Sequence, residues 1–187
     1  MEITVVFESM FGATHEVADA IAEGVSEARP DATVTCLRVG DADPNRVARA
    51  DLLIVGGPTH MRGMTTGMTR KMAVSMEQKK DKGGGHVGHG LESEVTGPGL
   101  RDWFHTLPKA NGKPAAAFDT RGEGAMMGGA AKGIAHRLES HGYQLVAGPE
   151  GFVIEGEDQL LRGGEHARAR AWAADLVQAA ADTGAAR

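Results

Sequence analysis

An apolar run, Ile3, Val5, Val6 and Phe7, opens the chain and predicts a strand. The period changes after Glu8-Ser9-Met10-Phe11-Gly12-Ala13-Thr14, and Val17, Ala18, Ile21, Ala22 and Val25 then recur at helical spacing. The pattern is strand, tight hydroxyl- and glycine-containing turn, helix. Such a turn aims backbone N–H groups and a helix N-terminus at one point, which suits an anion, most often a phosphate. A Walker loop is excluded because no lysine lies between Met1 and Val25. The dinucleotide fingerprint is excluded because the turn holds only Gly12. What remains is Ser-x-x-Gly-x-Thr, with hydroxyls from Ser9 and Thr14.

Alternation over residues 33–39 predicts a second strand, and residues 45–50 a short helix after the turn at Pro44. Leu52, Leu53, Ile54 and Val55 form a nearly continuous apolar run, as in a parallel strand buried on both faces. Residues 58–64 read as the loop after it. Residues 65–78 read as a helix, with Met68, Met72 and Met76 as a core-facing stripe. A mobile insertion is expected at about 78–97, where glycine is dense, two histidines (His86 and His89) stand close together and no period survives. Pro98 opens a helix with Leu100, Trp103, Phe104 and Leu107 on one face. A fourth strand is expected at 115–118, followed by a loop over 119–129 and a helix from about Ala130. A fifth strand spans 143–154, interrupted at Gly148-Pro149, and a last helix runs from near Gly164 to about Ala181. One domain over 1–182 and a tail over 183–187 follow from this reading.

Five strands alternating with helices predict an α/β fold, a doubly wound parallel sheet with helices on both faces. In such sheets ligands lie beyond the carboxyl ends of the strands. The loops after the first, third and fourth strands would meet there, and they are the least ordinary loops in the chain. Composition narrows the function. The formal charge of −5 argues against a nucleic-acid partner. The absence of a long apolar run argues against a membrane partner. The single Cys36 excludes an internal disulfide and fits a reducing, cytoplasmic setting. Its plainest role is a small buried strand residue. His86 and His89 lack a convincing third ligand, so no metal site is expected.

Several motifs together resemble the flavodoxin family. Phe-Glu-Ser-Met-Phe-Gly-Ala-Thr, from Phe7 to Thr14, is similar to its phosphate loop. Val-Gly-Gly-Pro-Thr-His, from Val55 to His60, is similar to its second, flavin-facing loop, and Phe-Asp-Thr-Arg, from Phe118 to Arg121, to the start of its third. The stretch from Gly142 to Phe152 extends the resemblance into the C-terminal half. The resemblance implies a five-stranded sheet in the order 2-1-3-4-5, FMN as cofactor and electron transfer as chemistry. It also implies the cofactor-binding residues. Ser9, Met10, Phe11, Gly12, Ala13 and Thr14 would surround the phosphate, while Pro58, Thr59, His60 and Met61 would border the ring. Asp119, Thr120, Arg121 and Gly122 would meet the pyrimidine edge, largely through backbone groups. Unlike many flavodoxins, the second and third loops carry methionines (Met61, Met64, Met126 and Met127) in place of Trp, Tyr or Phe. Methionine sulfur makes favourable but less directional ring contacts.

The expected function is electron transfer through non-covalent FMN to a redox partner protein or a small-molecule acceptor, by a monomer or homodimer. Two alternatives stay open: an FMN-dependent quinone or nitro reductase, and a flavodoxin-fold scaffold or regulator without flavin.

Overall fold

The structure, a computed structural model, describes residues 1–60, 63–68, 71, 97–124, 129–156 and 159–185. In chain order the elements are β1 (Glu2–Phe7), α1 (Ala13–Ala28), β2 (Thr33–Arg38), α2 (Pro44–Val47), β3 (Leu52–His60) and β4 (Gly63–Met64). They continue as α3 (Leu100–Phe104), β5 (Pro114–Gly122), α4 (Ala130–Ser140), β6 (Gln144–Leu145), β7 (Glu150–Glu155), β8 (Leu160–Leu161) and α5 (Glu165–Ala185). The long strands lie in the order β2-β1-β3-β5-β7, all parallel, which is the expected 2-1-3-4-5 path. Three two-residue strands make the sheet larger than five. β8 extends the path antiparallel to β7, β4 turns back on β3, and β6 pairs with β5 ahead of the break at Gly148-Pro149.

Each face of the sheet has its own core. Val17, Ile21 and Val25 of α1 and Ala169, Ala173 and Leu176 of α5 pack on Ile3, Val5, Ile54 and Phe118. Leu100, Trp103 and Phe104 of α3 and Ile134 and Leu138 of α4 pack on Val6, Leu53, Val55 and Ala117. Alternation along the strands sends successive side chains to these two faces. Trp103 sits in the second core with its indole N–H donating to the Ala42 carbonyl at 2.8 Å, and Trp172 stacks edge-on with Phe118 and Phe152. Both tryptophans therefore serve the core. Met68 is 74% exposed, against the expected core-facing stripe, while Met72 and Met76 lie outside the described residues. The expected mobile segment also lies outside them, except Gly97. α5 continues to Ala185, past the expected end near Ala181.

Two strands run further than the sequence pattern suggests, and both corrections bear on the site. β3 continues through Gly56, Gly57, Pro58 and Thr59 to His60. β1 ends opposite Gly56. The N–H position of Pro58 has the same parity as Gly56 and faces the side that β1 has vacated, so the proline removes no ladder hydrogen bond. β5 likewise carries Asp119, Thr120, Arg121 and Gly122 within the strand, where they pair with Gly151–Ile154 of β7. The expected loop residues are thus strand ends that project past the sheet.

Candidate functional site

The carboxyl ends of β1, β3 and β5 lie side by side, and the turn after β1 leads into the first turn of α1. Gly12 stands before α1 with φ 94°, a left-handed conformation that a side chain would strain. No side chain caps α1. The N–H groups of Ala13 and Thr14 in its first turn have no preceding carbonyl to receive them. The Gly12 N–H donates to Ser9 Oγ at 3.3 Å, so the Ser9 hydroxyl keeps its own proton for another acceptor. Thr14 Oγ1 lies 2.7 Å from Thr120 Oγ1 and joins the turn to β5.

Two acidic residues flank the turn, Glu8 and, in the first turn of α1, Glu16; the Glu8 carboxylate is turned away. Glu8 is buried and accepts from the Thr65 hydroxyl and, at 2.9 Å, from the Leu100 N–H. Its carboxylate thus anchors the start of α3. His15 stacks on Phe7 with ring centroids 4.7 Å apart, and Arg38 approaches its Nδ1 at 3.1 Å. The donor set around Gly12 is neutral, made of hydroxyls and backbone N–H groups, and it fits a phosphate monoester without a cation.

The start of α4 is already satisfied from within the protein. Thr59 Oγ1 accepts from the Ala130 N–H at 2.8 Å and donates to Asp119 Oδ2 at 2.9 Å, which also accepts from the Ala131 N–H at 2.9 Å. Asp119 is 0% exposed. Burial pushes its carboxyl above the usual range, against the pull of the Ala131 N–H, the Thr59 hydroxyl and Arg121. Its Oδ1 has no hydrogen-bond partner, although Arg121 Nε stands 3.5 Å away. The Arg121 guanidinium folds over Gly151, where a Cβ would lie 2.0 Å from its Nη2. The Asp119 and Arg121 side chains thus serve the α4 face of the sheet, leaving their backbone groups at the strand end.

His60 is half-buried, and its Nε2 lies 3.0 Å from Met10 Sδ. Burial holds its pKa below the usual 6.5, despite the nearby Glu8 carboxylate, so the ring is neutral at pH 7. Beside it opens a cleft of about 440 Å³, lined by Thr59, His60, Gly122, Glu123, Ile154, Glu155, Gly156 and Gln159. That volume lies within the range of small-molecule pockets, roughly 300–1,000 Å³. The expected site residues Ser9, Met10, Phe11, Gly12, Ala13, Thr14, Pro58, Thr59, His60, Asp119, Thr120, Arg121 and Gly122 thus all come from the adjacent ends of three strands. Met61, Met126 and Met127 lie outside the described residues. The sequence reading missed Ile154, Glu155, Gly156 and Gln159. Their only sequence signal was the break at Gly148-Pro149, which carries β7 outward beside β5.

The family model described as flavodoxin matches residues 5–172. The chain belongs to the flavodoxin family. Members carry FMN and pass electrons through it to partner proteins, and this flavodoxin-family chain is an FMN-binding redox protein. The anaerobic nitric oxide reductase flavorubredoxin of Escherichia coli O1:K1 / APEC is 29% identical over 97% of the chain. The chain spans about a third of the length of such curated relatives, 32% in this case. Among solved structures, oxidised Flavodoxin 1 from Bacillus cereus aligns with TM-score 0.64 at 16% identity, covering 95% of this chain and 98% of that one. The Flv1 flavodiiron core from Synechocystis sp. PCC6803 aligns with TM-score 0.60 at 15% identity, covering 98% of this chain and 36% of that one. At these identities the structures speak for the fold. Among the described residues no helix is long and apolar enough to cross a membrane.

Proposed function

We propose that the chain holds FMN non-covalently at the carboxyl ends of β1, β3 and β5 and relays electrons to a separate redox partner. The observation that carries this reading is the uncapped start of α1, closed by Gly12 and flanked by the Ser9 and Thr14 hydroxyls. The flavin, when bound, supplies the redox chemistry; the protein supplies position and electrostatics. Ser9 and Thr14 donate hydroxyl protons to the phosphate, and backbone N–H groups over 10–14 complete its shell. Pro58, Thr59 and His60, with Met61 next in the chain, border the ring. Neutral His60 shields that side without adding charge. Asp119, Thr120, Arg121 and Gly122 present backbone groups, their side chains being held elsewhere. Glu155 and Glu123, the latter paired with Arg162 at 3.2 Å, line the adjoining cleft.

The flavorubredoxin relatives support a relay more than a self-contained reductase. Nearly all of this chain matches about a third of a longer protein named as a nitric oxide reductase. The remainder of such a protein offers a separate place for the electrons to go. The test is the visible spectrum of the purified protein, then titration of apoprotein with FMN followed by flavin fluorescence. A bound-flavin spectrum or saturable quenching at micromolar FMN is expected. Gly12→Glu places a carboxylate at the mouth of the turn and is expected to weaken FMN at least about tenfold. No colour and no quenching in the parent protein, or unchanged affinity in the variant, would overturn the assignment.

A further inference from the structure

We propose that Thr120 is a positioning residue that aims the Thr14 hydroxyl and so makes the site prefer a phosphorylated flavin over its dephosphorylated form. This deepens the reading above and rests on it. Thr14 Oγ1 and Thr120 Oγ1 are 2.7 Å apart, and both residues are only 2% exposed. The contact joins chain positions 106 residues apart. Among the described residues Thr120 Oγ1 has no other hydrogen-bond partner.

Each hydroxyl carries one proton and can accept. In a pair, one donates to the other and one proton is left over. If Thr14 donates to Thr120, the leftover proton stays on Thr120, buried and, among the described residues, without an acceptor, which is costly. Thr14 then shows only lone pairs to the helix start, which repels an anion. If Thr120 donates to Thr14, the leftover proton belongs to Thr14, in the first turn of α1. An anion at that turn accepts it. A phosphate therefore selects the second arrangement, and Thr120 holds Thr14 in it. A flavin without the phosphate brings no anion to this point and gains nothing from the pair.

The test measures dissociation constants for FMN and riboflavin, by fluorescence quenching, in the parent protein and in Thr120→Val, Thr120→Ser, Thr14→Val and the double valine variant. Thr120→Val is expected to weaken FMN about five- to tenfold more than riboflavin. Thr120→Ser keeps the donor and is expected to behave as the parent. In the Thr14→Val background, Thr120→Val is expected to cost nothing more, because the two hydroxyls act as one unit. Should the valine variant melt early, Thr120→Ala removes the same hydroxyl without the second methyl. Equal weakening of both flavins, no weakening of FMN, or losses that multiply in the double variant would each overturn the proposal. If the parent protein does not prefer FMN to riboflavin, the phosphate site itself is misassigned and both readings fall. A parent preference that is undiminished in Thr120→Val overturns only the role of Thr120.

Discussion

Asp119 places a carboxylate where no water reaches it, held by one hydroxyl and one backbone N–H, with Oδ1 unpartnered. Its folded carboxyl binds a proton more tightly than the unfolded chain does, starting from an ordinary value of 3.8. That binding favours the fold below pH 3.8, and the benefit is lost as pH rises through the raised folded pKa. Asp119→Asn has no charge to bury and keeps an acceptor for Ala131. Its stability relative to the parent is therefore expected to improve between pH 3.5 and 7, read from urea midpoints at both ends. A difference that stays flat across that span would show that the buried charge is not the cause. Cys36 makes a plainer prediction. Burial, helped by the neighbouring Asp19 carboxylate, pushes its thiol up to about 12. Alkylation by iodoacetamide at pH 7.5 is expected to be slow in the native protein and fast in urea. At this scale the sequence told much about Ser9, Gly12 and Thr14, whose chemistry is local to one turn. It told little about Asp119. Which face its side chain serves depends on β5 running four residues past Phe118, and the partner strand β7 decides that.

Among the elements, α5 is fixed to the sheet by its first turn. Buried Glu165 accepts from the Val153 N–H at 2.9 Å and pairs with Arg168, whose guanidinium also reaches Glu150 and the Gly151 carbonyl and lies 4.5 Å from the Phe152 ring centre. Burial alone would raise the Glu165 pKa, but the hydrogen bonds from Arg168 and Val153, with the charges of Arg168 and Arg162, bring it below 4.5. The stabilisation is present above pH 4.5 and is lost as pH falls through the lowered folded value. Glu165→Gln keeps the shape and loses the charge. It is expected to cost about 1–2 kcal/mol at pH 7 and progressively less in acid, measured by chemical denaturation. An equal cost at pH 7 and in acid would remove the charge from the account. Helices α1, α4 and α5 were legible because their apolar residues keep one period. The strand ends were not. Pro58 normally stops a strand, and only the early end of β1 makes it harmless here. The two-residue strands β4, β6 and β8 are too short to carry any period.

At the scale of the whole molecule, α1 and α5 lie side by side on one face of the sheet and approach closely at Gly24. A Cβ there would sit 2.4 Å from the Arg170 carbonyl oxygen. Gly24→Ala is expected to push the helices apart and cost about 2 kcal/mol, seen as a lower melting temperature with an unchanged circular-dichroism spectrum. No loss of stability would mean that the two helices can shift without penalty. A doubly wound parallel sheet was legible in the alternation of strands and helices, while the strand order came from the family resemblance. The pairing of the first helix with the last was not legible, since nothing local connects Gly24 to Arg170.

That pairing has a consequence for how the protein is made. The phosphate turn lies within the first fifteen residues, yet the helix that begins there buries its inner face against residues 165–185. Within this sequence the turn leaves the ribosome well before its packing partner does. While the chain grows, Val17, Ile21 and Val25 have no α5 to cover them, and long-range closure of this kind is slow. Cofactor capture is thus tied to the synthesis of α5. A nascent chain stalled before Gly164 is expected to hold no FMN, although every residue assigned to the cofactor has already been synthesised.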